Sequence, residues 1–229
     1  MSLKDTILET IKSDNLQNVT KDLAEIVVDG FLNDGIIRDI PVLGSIVGIG
    51  KGIMSISDRL FTKKLLLFIY ELKDMTFVER NQQITKILTD SKYQDSVGEK
   101  LLMIVDKCND SKKATWLGKL FLHCLQNEIT YKDFIRCAEI INNSSLYSLI
   151  EVISNEYTGI PIDQEDDLIS SGLFRLETPK IELTKSENTY EHMRHGEDLI
   201  TNYKVNDVDW SALLSRHGEL IRRYLKNYC

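Results

Sequence analysis

Apolar residues recur at helical spacing along most of the first 156 residues, and this spacing is the strongest constraint on the fold. Leu65, Phe68, Ile69 and Leu72 lie at i, i+3, i+4 and i+7, which collects them on one helix face. Similar stripes follow further along the chain. The spacing predicts helices near residues 3–12, 16–33, 42–57, 59–73, 77–89, 97–108, 112–127, 131–142 and 145–155.

Helix start signals agree with these stripes. Thr76-x-x-Glu79 and Ser96-x-x-Glu99 have the pattern of capping boxes, and Thr130-x-x-Asp133 is a weaker relative of the same pattern. Each stands directly before an apolar stripe, so we expect helices to begin at these three places.

The pattern changes after about residue 154. Residues 172–177 and 180–184 alternate polar with apolar side chains, and Thr178-Pro179 between them can turn the chain, which predicts a small β-hairpin. Helical spacing resumes near residues 186–203 and returns at the end of the sequence, over Leu213–Leu225. We therefore predict a mainly α protein: a multi-helix bundle (1–156) with a small winged-helix-like helix–hairpin–helix portion (157–229).

Composition indicates a folded, intracellular chain. The hydrophobic fraction of 42% with only 3 Pro is typical of globular proteins rather than disordered ones. A net charge of −7 disfavours indiscriminate binding to nucleic acid. The four cysteines form no short pair, three lie in apolar helical stripes, and no signal peptide pattern precedes them, so we expect a reducing cytoplasm.

An apolar, glycine-spaced segment is the least ordinary part of the sequence. Pro41 falls where a first helical position is expected, since its missing N–H has no helical partner there. Glycine then recurs every fourth residue, at Gly44, Gly48 and Gly52, with Gly50 and Lys51 between. On a helix this spacing leaves a groove into which another helix can pack closely. Interior glycine costs about 1 kcal/mol per position, so tight packing must compensate.

Two interpretations of this segment remain open. The preferred one is a buried central helix over 40–57, packed through its glycines. The alternative is a segment that associates with a membrane after activation, peripheral to the inner membrane. Residues 40–50 are apolar but too few to span a bilayer alone, because about 17–25 are needed. Under either interpretation, the residues predicted to contact a partner or a membrane are Pro41, Gly44, Gly48, Gly50, Lys51 and Gly52.

A phosphate-binding loop fails on spacing. Five residues separate Gly44 from Gly50-Lys51 where the motif needs four, and Gly52 stands where Ser or Thr would hold Mg²⁺. His192 and His195 lack the glutamate of a zinc protease and have Arg194 between them. We expect His217, among apolar neighbours, to be hydrogen-bonded and half-buried. The sequence predicts no catalytic residue, no metal site and no cofactor.

Nucleic-acid binding is not expected. Residues 163–229 carry 9 Lys/Arg against 13 Asp/Glu, whereas affinity for DNA comes largely from neutralised phosphates. The acidic run 163–167 lacks the glycine and final glutamate of a calcium loop, and suits a helix start instead.

The block Asp34–Gly48 (DGIIRDIPVLGSIVG), with Asp58-Arg59-Leu60-Phe61 after it, resembles a group of poorly characterised bacterial proteins. In that group a similar segment precedes a helical body and a short C-terminal α/β tail. The resemblance covers about residues 20–140 in pattern and implies a bacterial or phage origin and a complete chain. It carries no catalytic residues, and its only functional implication is a link to bacterial defence or stress.

The resulting functional expectation is a non-enzymatic helical protein that acts through protein–protein contact, with a protein partner or a second copy of itself. The helices around the glycine-spaced segment and the C-terminal hairpin are the expected contact regions. A latent membrane-associating effector, and a hydrolase or nuclease with an unrecognised site, are the alternatives.

Overall fold

The structure is a computed structural model. It describes residues 3–14, 16, 41–42, 44, 55–90, 93, 96–154, 159–161, 166–177, 183–185, 203–205 and 211–229. Helices account for 74% of this part of the chain, which confirms the prediction of a mainly α protein.

Nine α-helices lie in the described part of the chain. They are α1 (Leu3–Ile11), α2 (Ile56–Tyr70), α3 (Phe77–Thr89), α4 (Val97–Asp106), α5 (Ser111–Leu125), α6 (Tyr131–Asn143), α7 (Leu146–Ser154), α8 (Asp166–Ser170) and α9 (Arg216–Leu225). The strands are β1 (Gly159–Pro161), β2 (Phe174–Leu176), β3 (Leu183–Lys185), β4 (Tyr203–Val205) and β5 (Ser211–Leu214).

Side-chain caps fix several helix starts. The predicted capping box at Thr76 and Glu79 is confirmed, and the Thr130 hydroxyl accepts the Asp133 N–H as predicted. A capping box at Ser55 and Asp58 was not predicted. The predicted box at Ser96 is wrong: its backbone lies in a turn (φ −120°, ψ −7°) rather than extended, so its side chain makes no capping hydrogen bond.

The core is built around the crossing of α2 and α5. Phe68 and Phe121 stack with ring centroids 5.5 Å apart, and Phe134 of α6 lies 5.0 Å from Phe121; all three are fully buried. Gly118 permits the close approach, because a Cβ there would lie 2.5 Å from the Phe68 carbonyl oxygen. A glycine therefore lets α2 and α5 pack closely at this crossing.

Cationic side chains cap helix ends from other helices. Fully buried Arg80 of α3 donates to the carbonyls of Ile11 (2.8 Å) and Ser13 (2.6 Å) at the end of α1. Fully buried Lys113 donates to the Ser144 carbonyl (2.6 Å) after α6. The carbonyls at a helix C-terminus lack hydrogen-bond partners and carry partial negative charge. The cationic donors therefore supply the missing hydrogen bonds and a complementary charge.

The predicted helix over 42–57 is wrong at its C-terminal end. Ser55 is extended (φ −63°, ψ 160°) and caps α2, so α2 begins at Ile56 rather than at residue 59. The Ser55 hydroxyl accepts an N–H three residues later and so marks the start of a helix. This local hydrogen bond determines the boundary, even though the apolar spacing continues from one side of Ser55 to the other.

The predicted hairpin is also wrong. β2 pairs antiparallel with β5, and β3 pairs antiparallel with β4, so residues 172–177 and 180–184 do not pair with each other. β1 pairs with the other side of β5, which gives the sheet order β1-β5-β2. Alternating polarity identified these runs as extended but could not select partners distant in sequence. The winged-helix-like arrangement stays a prediction.

Candidate interaction surface

Asp133 is the centre of a polar cluster that joins α6 to α9. Its buried carboxylate accepts hydrogen bonds from Thr130 Oγ1 (2.8 Å) and Arg216 Nη2 (3.2 Å) and lies 3.2 Å from His217 Nε2. The caps at Thr130 and Ser215 place these side chains in first helical turns. Burial alone would raise the pKa of Asp133, but the Thr130 hydrogen bond and the Arg216 charge outweigh it and lower the pKa.

The cysteine thiol close to this cluster is not placed as a nucleophile beside the His217 ring. The nearest thiol on α6, Cys137, donates to the main-chain carbonyl of His217 (3.7 Å), not to its ring. Burial raises the pKa of Cys137 to about 12, and that of Cys124 likewise, so both remain protonated thiols. The cluster holds α9 against α6. It also confirms the expectation that His217 is half-buried and hydrogen-bonded.

The residues that follow α9 also contact the bundle. Trp116 Nε1 donates to the Tyr228 carbonyl (3.4 Å), and the Lys119 ammonium lies 3.8 Å from the centre of the Tyr228 ring. Lys119 also forms an ion pair with Glu71 (2.5 Å). These contacts are consistent with a structural role for the polar groups on α5.

The described residues contain no group of three or more His, Cys, Asp or Glu side chains that could hold a metal ion. His192 and His195 lie outside the described residues. Within the same ranges, no helix combines the length and the apolar character that crossing a bilayer requires.

Three positions near the start of the glycine-spaced segment are described. Pro41, Val42 and Gly44 are helical, and the fully buried Val42 donates its N–H to Thr10 Oγ1 on α1 (3.1 Å). Pro41 is exposed and Gly44 is half-buried. The other predicted interaction residues, Gly48, Gly50, Lys51 and Gly52, lie outside the described residues.

The hydrogen bonds between β2 and β5 determine which way the β2 main chain faces. Ser215 N–H donates to the Leu173 carbonyl, and Glu177 N–H donates to the Ser211 carbonyl, each at 2.9 Å. In an antiparallel pair these groups alternate sides along the strand. Residues 173, 175 and 177 therefore face β5, and residues 174 and 176 face the opposite side.

The outward N–H and C=O groups of Phe174 and Leu176 form what we call the β2 edge. Within the described part of the chain, no strand lies on this side of β2. The Phe174 side chain is buried, whereas Leu176, on the same face, is 50% exposed. The edge thus presents main-chain donors and acceptors next to an uncovered apolar side chain.

The other margin of the sheet is different. Pro161 of β1 lies opposite Ser211, whose carbonyl is bonded on the β2 side, so the nitrogen of Pro161 lies on the outer margin. Proline has no N–H to donate there, and proline is a common means of blocking an edge strand. Of the two margins, the β2 edge is the one suited to pairing.

A second exposed surface lies on the first half of α2. Residues 55–60 are all exposed, and burial of the helix begins at Thr62. Ile56 is 79% exposed and Leu60 57% exposed, although both are large apolar side chains. With Arg59 and Lys63, they occupy positions i, i+3, i+4 and i+7, and we call this set the α2 face.

The α2 face is apolar and cationic. Arg59 and Lys63 are both exposed beside the two apolar side chains. The carboxylate of Asp58, in the first turn of α2, lies on the opposite side of the helix, where it accepts the Ser55 N–H (3.1 Å) and hydroxyl (2.6 Å). Lys64 is occupied with the carbonyls of Asp106 and Cys108 at the end of α4.

Sequence reasoning missed the α2 face, and it included β2 only as part of the hairpin expected to contact a partner. The α2 face was split because Ile56 was assigned to the preceding predicted helix. The spacing of residues 56, 59, 60 and 63 could have revealed it once Ser55-x-x-Asp58 was recognised as a cap. The β2 edge had no local signal, because it depends on pairing with a strand over 30 residues later in the chain.

Comparisons with known proteins give no match: the chain matches no protein-family model, no curated protein and no solved structure.

Proposed function

We propose that this is a non-enzymatic binding protein that contacts a protein partner through the β2 edge. The observation that carries the proposal is the pair of outward-facing main-chain positions, Phe174 and Leu176, beside a half-exposed leucine. An extended segment of a partner can add a strand to such an edge, and the main-chain hydrogen bonds then supply affinity.

The side chains around the edge define what the partner segment must carry. Leu176 shares the inner face of the sheet with Phe174, Ala212 and Leu214, which are all buried. A strand added beside β2 would place an apolar side chain against Leu176 on that face and a polar one beside the exposed Arg175 on the other. The partner segment is therefore extended, with alternating apolar and polar residues.

Leu176→Pro tests the proposal with little effect on the fold. Proline removes only the outward N–H of residue 176, whereas the bonds to β5 come from its neighbours. Leu176→Val is the matched control, because valine keeps the N–H and favours a strand. Immobilised protein carrying each variant is exposed to lysate from the source cell, and the bound proteins are quantified by mass spectrometry.

We expect at least one protein to bind to the wild type and to Leu176→Val and to be lost from Leu176→Pro. Circular dichroism and the melting temperature of the proline variant should match those of the wild type. Equal capture by the proline and valine variants would contradict strand addition at this edge.

The biological setting is part of the same proposal. The resemblance of residues 20–140 to a group of bacterial proteins supports a role in defence or stress, in the cytoplasm. A change in phage plating efficiency when the wild-type gene, but not the Leu176→Pro gene, is expressed in a bacterial host would support it. Equal plating with both genes would remove that support.

A further inference from the structure

The α2 face has a chemistry that differs from that of the β2 edge. Its two apolar side chains, Ile56 and Leu60, lie one helical turn apart, and each is more than half exposed. Exposed apolar residues are individually ordinary, but two on one face of a helix whose first turn is exposed on all sides form a surface that can be covered.

The charged side chains that share this face of α2 are both cationic. Arg59 and Lys63 flank the apolar residues on the same face, while Asp58 is turned away and held in the Ser55 cap. The chain as a whole carries a net charge of −7, so a locally cationic face runs against the overall composition. A complementary surface must therefore be anionic and must accept apolar side chains at the same time.

From these observations we propose that the α2 face docks on an anionic lipid surface. Ile56 and Leu60 would enter the boundary between headgroups and acyl chains, and Arg59 and Lys63 would contact the phosphates. This is how amphipathic helices with cationic flanks bind membranes without crossing them. The contact requires no spanning segment, and none was found among the described helices.

Four side chains give weak, reversible binding rather than stable anchoring. Each cation near an anionic bilayer contributes about 1 kcal/mol, which corresponds to about a fivefold change in binding constant. Loss of both apolar side chains removes about a hundredfold or more, because burial of such a side chain contributes about 1.5–3 kcal/mol. The cationic part should weaken as salt rises, since exposed charges are screened.

Co-flotation of the full chain with vesicles tests this docking. One set of vesicles contains equal parts phosphatidylglycerol and phosphatidylcholine, and the other contains phosphatidylcholine alone. We expect the wild type to float with the anionic vesicles, at low salt, and to remain unbound with the neutral ones. Arg59→Gln with Lys63→Gln should weaken binding, and Ile56→Ser with Leu60→Ser should abolish it.

Val78→Ser is the matched control. Val78 is also an exposed apolar residue (56%) in the first turn of a helix, but a glutamate follows it and no exposed cation flanks it. This variant should float like the wild type. All of these positions are exposed, so unchanged melting temperatures are expected throughout.

Three outcomes would overturn the docking proposal. The first is failure of the wild type to float with anionic vesicles. The second is undiminished flotation of the Ile56→Ser, Leu60→Ser variant, which would place the contact elsewhere in the chain. The third is loss of a captured protein, rather than of vesicle binding, in that variant, which would identify a protein as the occupant. None of these depends on Leu176→Pro, so the two proposals fail separately.

Discussion

At the scale of single residues, Asp133 is the polar group on which most depends. It satisfies donors from α6 and α9 at once, and its own carboxylate is almost buried. Removal of its charge would leave Arg216 solvated only by water and His217 without its hydrogen-bond partner.

We expect Asp133→Asn to lower the free energy of unfolding by about 2 kcal/mol, since hydrogen bonds to charged groups contribute about that much. Urea denaturation at neutral pH would measure it. Glu139→Gln, in the exposed ion pair with Arg136, is the control and should change stability by less than about 0.5 kcal/mol. Equal effects of the two substitutions would contradict the assignment.

The same residue predicts a pH dependence. Because the folded-state pKa of Asp133 is lowered, its contribution is fully present above the unfolded-state pKa of about 3.9 and is lost as pH falls through the lower folded value. Denaturation curves between neutral pH and pH about 3 should show the wild type losing more stability than Asp133→Asn. Parallel losses in the two proteins would argue against the lowered pKa.

The cysteines give a prediction about thiol reactivity. Cys108, Cys124 and Cys137 are buried, with pKa values raised to about 11, 12 and 12, while Cys229 is exposed. Titration of the native protein with a thiol reagent at pH 8 should therefore modify one cysteine rapidly, and denaturant should release the other three. Rapid native modification of more than one would contradict the packing.

At the scale of elements, the positions of the helices could be predicted from the sequence, but the pairing of the strands could not. Seven predicted helices coincide with described ones, because apolar spacing and caps are local properties of the chain. The boundary at Ser55 was wrong because apolar spacing ran across a cap. The strand pairing was wrong because the order β1-β5-β2 joins segments far apart in sequence.

The crossing of α2 and α5 gives a prediction at this scale. Gly118→Ala should destabilise the protein by about 1–3 kcal/mol, because the added methyl group meets the Phe68 carbonyl, which the backbone of α2 holds in place. Helix propensity alone would favour alanine by about 1 kcal/mol, so the predicted sign is opposite to that of propensity.

Ser57→Ala, at an exposed position of α2, is the control for helix propensity and should have little effect. Thermal melts of both variants would show whether the alanine at position 118 destabilises the protein. A stabilised Gly118→Ala protein would show that the two helices lie further apart than described.

At the scale of the whole molecule, α9 belongs to the helical body even though it closes the chain. Its Ile221 and Leu225 are fully buried, Asp133 contacts its first turn, and Trp116 contacts Tyr228 just after its end. The sequence alone did not identify these contacts, because apolar spacing in α9 shows that a face is buried but not against which helix.

A chain truncated after Ser215 tests how α9 contributes. We expect it to lose cooperative thermal unfolding, because the buried faces of α5 and α6 that α9 contacts would be exposed. Truncation after Tyr228, which retains α9 and the contact with Trp116, is the control and should unfold cooperatively. A stably folded Ser215 truncation would contradict the packing of α9.

The central claim is that the main chain of β2 is open to a partner, and amide hydrogen exchange in the free protein tests it most directly. The account predicts that the N–H groups of Phe174 and Leu176 exchange rapidly, while those of Arg175 and Glu177, which face β5, are protected. Slow exchange at residues 174 and 176 would show that the edge is already occupied, and would contradict the proposed mode of binding.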